Sequence, residues 1–84
     1  MKPRRGNLRH MLFGDRRDQR IAIREAGFTD DAEAATWAGG VLHQAQISPS
    51  EKLHAMAALR RRRPDLTLAT TKYILHQAQL RSID

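Results

Sequence analysis

The sequence predicts an all-α fold, a small four-helix domain, and three observations lead to it. Eighty-four residues are enough for one domain only. The apolar residues are mostly Leu, Ile, Ala and Met, and no stretch alternates polar and apolar residues with the period of a strand. Helix start and stop signals divide the chain into four segments. A chain this small has no room for a deep cavity behind its core, so an enzyme is not expected.

The first seven residues, MKPRRGN, are predicted to be a flexible basic arm that includes Arg4 and Arg5. The single helical domain then spans residues 8–84. Apolar residues from Leu8 to Phe13 recur with helical spacing and predict a turn or two of helix docked on the core.

The first full helix is expected to begin at Asp15, with Asp18 in the capping-box position. Gly27 ends it as a left-handed residue, and Phe28 packs back across that end. The residues expected to be buried are Ile21, Ala22, Ile23 and Ala26.

The second helix is predicted to run from an N-cap at Thr29 to about Gln46. Gly39 and Gly40 lie in its middle, at a cost of roughly 1 kcal/mol each relative to alanine. We therefore expect either a second helix close to this pair or a bend or break in the helix. Trp37 is the candidate for the largest core side chain, and the alternative role for it is a platform on which a nucleic-acid base stacks.

The third helix has the clearest start signal, since Ser48 can cap it, Pro49 fits the first helical position and Glu51 completes a capping box. Pro64 should end the helix by about Arg62. A final helix, capped by Asp65 or Thr67, presents one apolar face made of Leu68, Thr71, Leu75 and Ala78, widened by Ile74 and bordered by Tyr73.

A near-repeat crosses these helices: VLHQAQ at 41–46 returns as ILHQAQ at 74–79, thirty-three positions later. The repeat predicts an internal duplication of a helical hairpin, with one copy over 15–46 and the other over 48–82. The alternative is chance similarity between two helices rich in Ala, Gln and His.

The net charge of +6 is unevenly distributed along the chain. Residues 1–24 carry +6, residues 25–51 carry −5 without a single Lys or Arg, and residues 52–84 carry +5. Such basic blocks favour a polyanionic partner, although small domains that bind no nucleic acid often carry as many cations. The absence of cysteine fits a cytoplasmic protein, and no run is long enough to cross a membrane.

Residues 50–80 resemble generic helix-turn-helix DNA-binding domains, most clearly in Thr67-x-x-Thr70-Thr71-x-x-Ile74-Leu75. The resemblance implies that Leu53, Met56, Leu59, Ile74 and Leu75 are core residues, while Ala69, Thr70, Lys72 and Tyr73 face a major groove. Where such domains usually have a small residue and Gly at the turn, this chain has Arg63-Pro64-Asp65. The nucleic-acid-binding residues predicted from charge and resemblance together are Arg4, Arg5, Arg60, Arg61, Arg62, Arg63, Thr67, Thr70, Lys72 and Tyr73.

These observations predict a small nucleic-acid-binding regulator that uses the third and fourth helices, with duplex DNA favoured over RNA as the partner. The alternative is a non-enzymatic module that docks on a protein of the transcription or translation machinery, for which the acidic helix at 30–46 offers a surface. A homodimer is an alternative to a monomer, because half-site readers are commonly dimers. No catalytic residue, cofactor or metal site is predicted: no two of the four histidines have the spacing of helical zinc ligands.

Overall fold

The computed structural model describes residues 17–81 and confirms the all-α class. This part of the chain contains four helices and no strand: α1 (Gln19–Glu25), α2 (Asp31–Ala45), α3 (Lys52–Arg62) and α4 (Leu68–Arg81). The predicted basic arm at 1–7 and the predicted turn at Leu8 to Phe13 lie outside the described residues. So does Asp15.

Helix α1 begins later than predicted, because Asp18 and not Asp15 is its N-cap. The Asp18 carboxylate accepts a hydrogen bond from the backbone N–H of Arg20 at 3.0 Å. At the other end the prediction is confirmed: Gly27 has a φ of 106°, and the N–H of Phe28 donates to the Ile23 carbonyl at 3.0 Å. This pattern lets the chain reverse direction directly into α2.

The N-cap of α2 is Asp30, one residue after the predicted Thr29. Its carboxylate accepts the N–H of Glu33, and the Glu33 carboxylate reaches back to the N–H of Thr29. The helix ends at Ala45, close to the predicted boundary, with Gln46 in the left-handed region at a φ of 59°.

Gly39 and Gly40 do not interrupt α2, which is one helix from Asp31 to Ala45. The close approach expected at this pair is also not found, because a Cβ atom at either position would meet nothing within 4 Å. No contact within residues 17–81 accounts for the cost of these two glycines.

Helix α3 begins at Lys52, later than predicted, because Ser48 to Glu51 form a separate turn before it. The Ser48 hydroxyl accepts from the N–H of Ser50, and the Glu51 carboxylate accepts the N–H of Ser48 at 3.0 Å. The helix ends at Arg62, as Pro64 predicts.

Helix α4 contacts each of the other three helices and contributes to the core that they share. Its predicted buried face is confirmed for Thr71, Ile74, Leu75 and Ala78, and Leu59 of α3 is fully buried against it. Within residues 17–81 the buried apolar residues are Ala22, Ile23, Phe28, Ala34, Ala35, Ala38, Val41, Leu42, Ala55, Ala58, Leu59, Leu66, Ile74, Leu75 and Ala78.

Three core predictions are wrong. Ile21 is 49% exposed and Leu53 is 82% exposed, because Ile23 and Ala55, about 200° further round their helices, take the inward positions. Trp37 is only half-buried at the edge of the core, where it packs beside Phe28. The large side chains at the centre are aliphatic.

Candidate nucleic-acid interface

The two helical hairpins of the structure carry opposite net charges. Residues 17–46, which contain α1 and α2, have three arginines and five carboxylates, a net charge of −2. Residues 52–81, which contain α3 and α4, have seven Lys and Arg and a single carboxylate, a net charge of +6. The candidate interface is therefore on the second hairpin.

The four consecutive arginines at the end of α3 have different environments, as expected for residues about 100° apart around a helix. Arg61 is exposed. Arg62 is also exposed and donates to the side-chain oxygen of Gln44 on α2 at 2.9 Å. Arg60 is half-buried and donates to the backbone carbonyl of Leu66 at 3.1 Å. Arg61 and Arg62 are thus the members of the run that can best reach a phosphate.

Arg63 holds the two inter-helix turns together. Its guanidinium pairs with both carboxylate oxygens of Asp65, at 2.9 and 2.7 Å, and donates to the carbonyl of Ala26 at 2.8 Å. The group also lies over the ring of Phe28, with 5.6 Å between the guanidinium carbon and the ring centre. The bond to Arg63 lowers the pKa of Asp65. Arg63, predicted to contact a phosphate, has a structural role here.

Thr67 and Thr70 face inward, so the prediction that Thr70 faces a major groove is wrong. Thr67 is the N-cap of α4, as one of the two predicted alternatives had it, and its hydroxyl oxygen accepts the N–H of Thr70 at 3.1 Å. The Thr70 hydroxyl donates to the Gln19 side chain of α1 at 2.6 Å. Both threonines are buried, at 4% and 1% exposure, because α1 covers the beginning of α4. Their hydroxyls stabilise the fold.

Lys72 and Tyr73, the other predicted contacts on α4, differ from each other. Lys72 is exposed. Tyr73 is half-buried, and its hydroxyl donates to the Asp31 carboxylate of α2 at 2.6 Å. Burial and the bond to Asp31 raise the pKa of Tyr73 to about 12. Tyr73 therefore links α4 to α2, while Lys72 remains available for an anion.

The sequence did not reveal that an aromatic pair lies next to Arg63. The rings of Phe28 and Trp37 are 5.4 Å apart and tilted by 47°. Arg63 covers Phe28 from the second hairpin, and Gln44, which Arg62 contacts, lies two turns beyond Trp37 on the same side of α2. Only tertiary structure could bring these residues together, since the arginines follow Trp37 by more than twenty positions.

Clefts elsewhere on the surface of residues 17–81 include two that differ in their lining. The larger, of about 400 Å³, has mixed charge, with Arg20, Arg24 and Arg81 opposite Asp30 and Asp31. The other, of about 220 Å³, is lined mainly by small residues of α2 and α4 and by Pro49. Within residues 17–81 no group of three or more His, Cys, Asp or Glu side chains is placed to hold a metal ion.

Comparison with known proteins yields no relative: no family model matches the chain, and no match was found among curated proteins or solved structures. The described helices also include none with the length and apolar character needed to cross a membrane.

Proposed function

We propose that the chain binds nucleic acid through the α3–α4 hairpin, and that it does so by holding phosphates. The observation that carries this proposal is the segregation of charge. Seven of the ten Lys and Arg within residues 17–81 lie on this hairpin. The one carboxylate within residues 52–81, Asp65, is paired with Arg63. A surface with many cations and few neighbouring carboxylates attracts a polyanion.

The contacts come from the exposed cations of the hairpin, with Arg61, Arg62 and Lys72 as the principal ones. Each guanidinium can donate two parallel hydrogen bonds to a phosphate, and each phosphate neutralised releases condensed counterions. The burial of Thr70 removes one of the residues that were predicted to read base edges, and Thr67, also predicted to bind nucleic acid, is buried as well. The mechanism is therefore backbone binding with little sequence preference. A contribution from Arg4 and Arg5 stays a prediction.

The test is a titration of labelled oligonucleotides, single-stranded and duplex, at two salt concentrations. We expect binding at low salt that weakens steeply as salt is added. A double variant, Arg61→Gln with Arg62→Gln, should lower the affinity about tenfold or more and reduce the salt slope by about 2, because two phosphate contacts are lost.

The matched control removes the same charge from the other hairpin. Arg20→Gln with Arg24→Gln leaves the net charge of the protein equal to that of the first variant, but these arginines lie on α1 beside carboxylates. The control should bind nearly as well as the unmodified protein. Equal losses in both variants would mean that only total charge matters, and no binding at low salt would refute the proposal.

A second candidate function, docking on another protein, is favoured by two exposed leucines on the same hairpin. Leu53 is 82% exposed and Leu80 is 53% exposed, although leucines contribute most when buried. If this function is correct, a protein should co-purify from nuclease-treated extract and be lost with Leu53→Ser and Leu80→Ser. Loss of the co-purifying protein on nuclease treatment would instead favour a nucleic-acid bridge.

A further inference from the structure

We infer that Trp37, with Arg61 and Arg62, forms a binding site for single-stranded nucleic acid, in which a base stacks on the indole and neighbouring phosphates pair with the arginines. The inference rests on the proposed function and names its ligand class. Single-stranded nucleic acid is the form whose bases are free to stack on a protein aromatic ring, whereas a duplex keeps its bases paired.

The position of Trp37 suits it for stacking. It packs on Phe28 at the edge of the core, so one side of the indole is supported while part of it remains in solvent. A ring supported in this way is rigid before binding, which lowers the entropy lost when a base stacks on it. The indole N–H has no hydrogen-bond acceptor within residues 17–81. Because no buried side-chain N or O atom in this part of the chain lacks a partner, the indole N–H is not buried, and solvent reaches it. It can donate to a base or a phosphate.

The distance from the indole to Arg62 can be compared with the length of a nucleotide. Gln44 lies seven residues after Trp37, roughly 10 Å along the same side of α2 at about 1.5 Å per residue. The Arg62 guanidinium reaches Gln44 at 2.9 Å, and Arg61 is exposed in the preceding position. Through Gln44, the Arg62 guanidinium therefore lies about 10 Å along α2 from Trp37, roughly the span of one or two nucleotides. Arg61 is its neighbour in the chain. This combination of an aromatic ring and neighbouring cations is typical of sites that bind single strands without sequence preference.

Glu33 is the one carboxylate of α2 on the Trp37 side, one turn before the indole. It is exposed and accepts the N–H of Thr29. Its charge opposes a phosphate at that end, so a strand bound at Trp37 should extend toward Gln44 and Arg62. We therefore expect the charge of Glu33 to weaken the binding of a single strand.

Trp37 is the only tryptophan of the chain, so its fluorescence reports on this site alone. The unmodified protein is titrated with a short oligothymidylate, with a duplex of equal length, and with an abasic strand that has the same phosphates and no bases. The oligothymidylate should quench the fluorescence and bind most tightly. The abasic strand should bind about fivefold or more weakly without quenching, because a stacked base contributes about 1–3 kcal/mol.

Two variants test the residues. Trp37→Phe keeps an aromatic ring in the core but reduces the stacking surface, and it should weaken the oligothymidylate about threefold to tenfold while leaving the abasic strand unchanged. Glu33→Gln keeps an acceptor for the N–H of Thr29 and removes the charge, so it should strengthen single-strand binding about twofold to fivefold. If Trp37→Phe does not fold, the fluorescence of the unmodified protein still decides the question.

The outcomes separate the two proposals. Oligothymidylate binding without quenching, equal to binding of the abasic strand, would refute the stacking site and leave phosphate binding by the hairpin in place. Tighter binding of the duplex than of the single strand would do the same. Failure of every strand to bind at low salt would refute the proposed function and the stacking site together.

Discussion

The two hairpins end their first helices in contrasting ways, although both must reverse the chain within a few residues. In the first hairpin the turn is made by backbone conformation: Gly27 is left-handed and its neighbour Phe28 closes the end of α1. In the second, Pro64 stops α3 and the turn is held by side chains, with Arg63 paired to Asp65. Arg63 also donates to Ala26, so the second turn supports the first. Charge repeats this contrast, at −2 for residues 17–46 and +6 for residues 52–81.

The four consecutive arginines at the end of α3 therefore have different roles. Arg63 is committed to the fold, Arg60 contacts the carbonyl of Leu66, and Arg61 and Arg62 remain exposed. The structure separates cations that stabilise from cations that can bind a partner. Four predictions test how far this separation and the difference between the hairpins hold.

The largest effect is expected for Arg63→Ala. This change removes a two-pronged ion pair, a bond to the Ala26 carbonyl and the contact with Phe28, and it should lower the free energy of unfolding by about 2–3 kcal/mol. Chemical denaturation measures this loss. Arg61→Ala is the matched control and should change stability by less than about 0.5 kcal/mol. Equal effects of the two changes would remove the distinction between structural and exposed arginines.

An increase in stability is expected when both glycines of α2 become alanine. Gly39→Ala with Gly40→Ala should raise the free energy of unfolding by about 1–2 kcal/mol, because each helix-interior glycine costs about 1 kcal/mol and each new Cβ has open space. Thermal unfolding checks the change. Gly27→Ala is the contrasting control and should destabilise, since its φ of 106° is unfavourable for alanine. A loss of stability in the double variant would show that the pair is needed within the fold.

The third prediction compares the N-caps of α2 and α4. Thr67→Ala should cost about 1–2 kcal/mol, since it removes the cap of α4 and leaves the buried Thr70 without one of its partners. Asp30→Ala removes an exposed cap and should cost about 1 kcal/mol or less. Denaturant titration of the two variants measures the difference. If Thr67→Ala left stability intact but altered binding to DNA sequences, the inward position of this residue would be wrong.

The smallest effect at neutral pH is expected for Tyr73, whose bond to Asp31 joins α4 to α2. Tyr73→Phe should cost about 1 kcal/mol. Tyr73 is the only tyrosine, so its absorbance should show ionisation near pH 12 in the folded protein, against about 10 when unfolded. Because the pKa is raised on folding, this stability is complete below pH 10 and is lost as pH rises toward 12. In Tyr73→Phe the loss of stability between these pH values should be reduced. An ionisation near pH 10 in the folded protein would contradict the bond between Tyr73 and Asp31.

The sequence predicted local structure best where a single residue type has a strong backbone preference. Gly27 at the end of α1 and Pro64 after α3 are the clearest cases, because a left-handed φ favours glycine and the residue before proline avoids helical conformation. N-caps were predicted less exactly, at Asp15 instead of Asp18 and at Thr29 instead of Asp30. Adjacent polar residues have nearly equal capping ability, so packing selects among them. The internal duplication of the hairpin stays a prediction.

Which side of each helix faces the core was decided by tertiary packing. Spacing placed Ile21 inside, the resemblance placed Leu53 there, and Ile23 was one of several candidates. In the folded chain Ile23 is buried and the other two are exposed. The candidate site shows the same limit. The sequence predicted that Thr67 and Thr70 bind nucleic acid, whereas in the structure α1 covers them.

The sequence by itself determined that the chain is helical, approximately where its helices end, and that residues 52–84 carry a net charge of +5, because these properties depend on local preference and composition. Tertiary structure decided which cations are free. Whether an arginine meets Asp65, Gln44 or solvent depends on how separate helices pack, and no local pattern encodes that. The same packing placed Phe28 between Trp37 and Arg63 and brought Arg62 to Gln44, and the proposed binding site rests on these contacts.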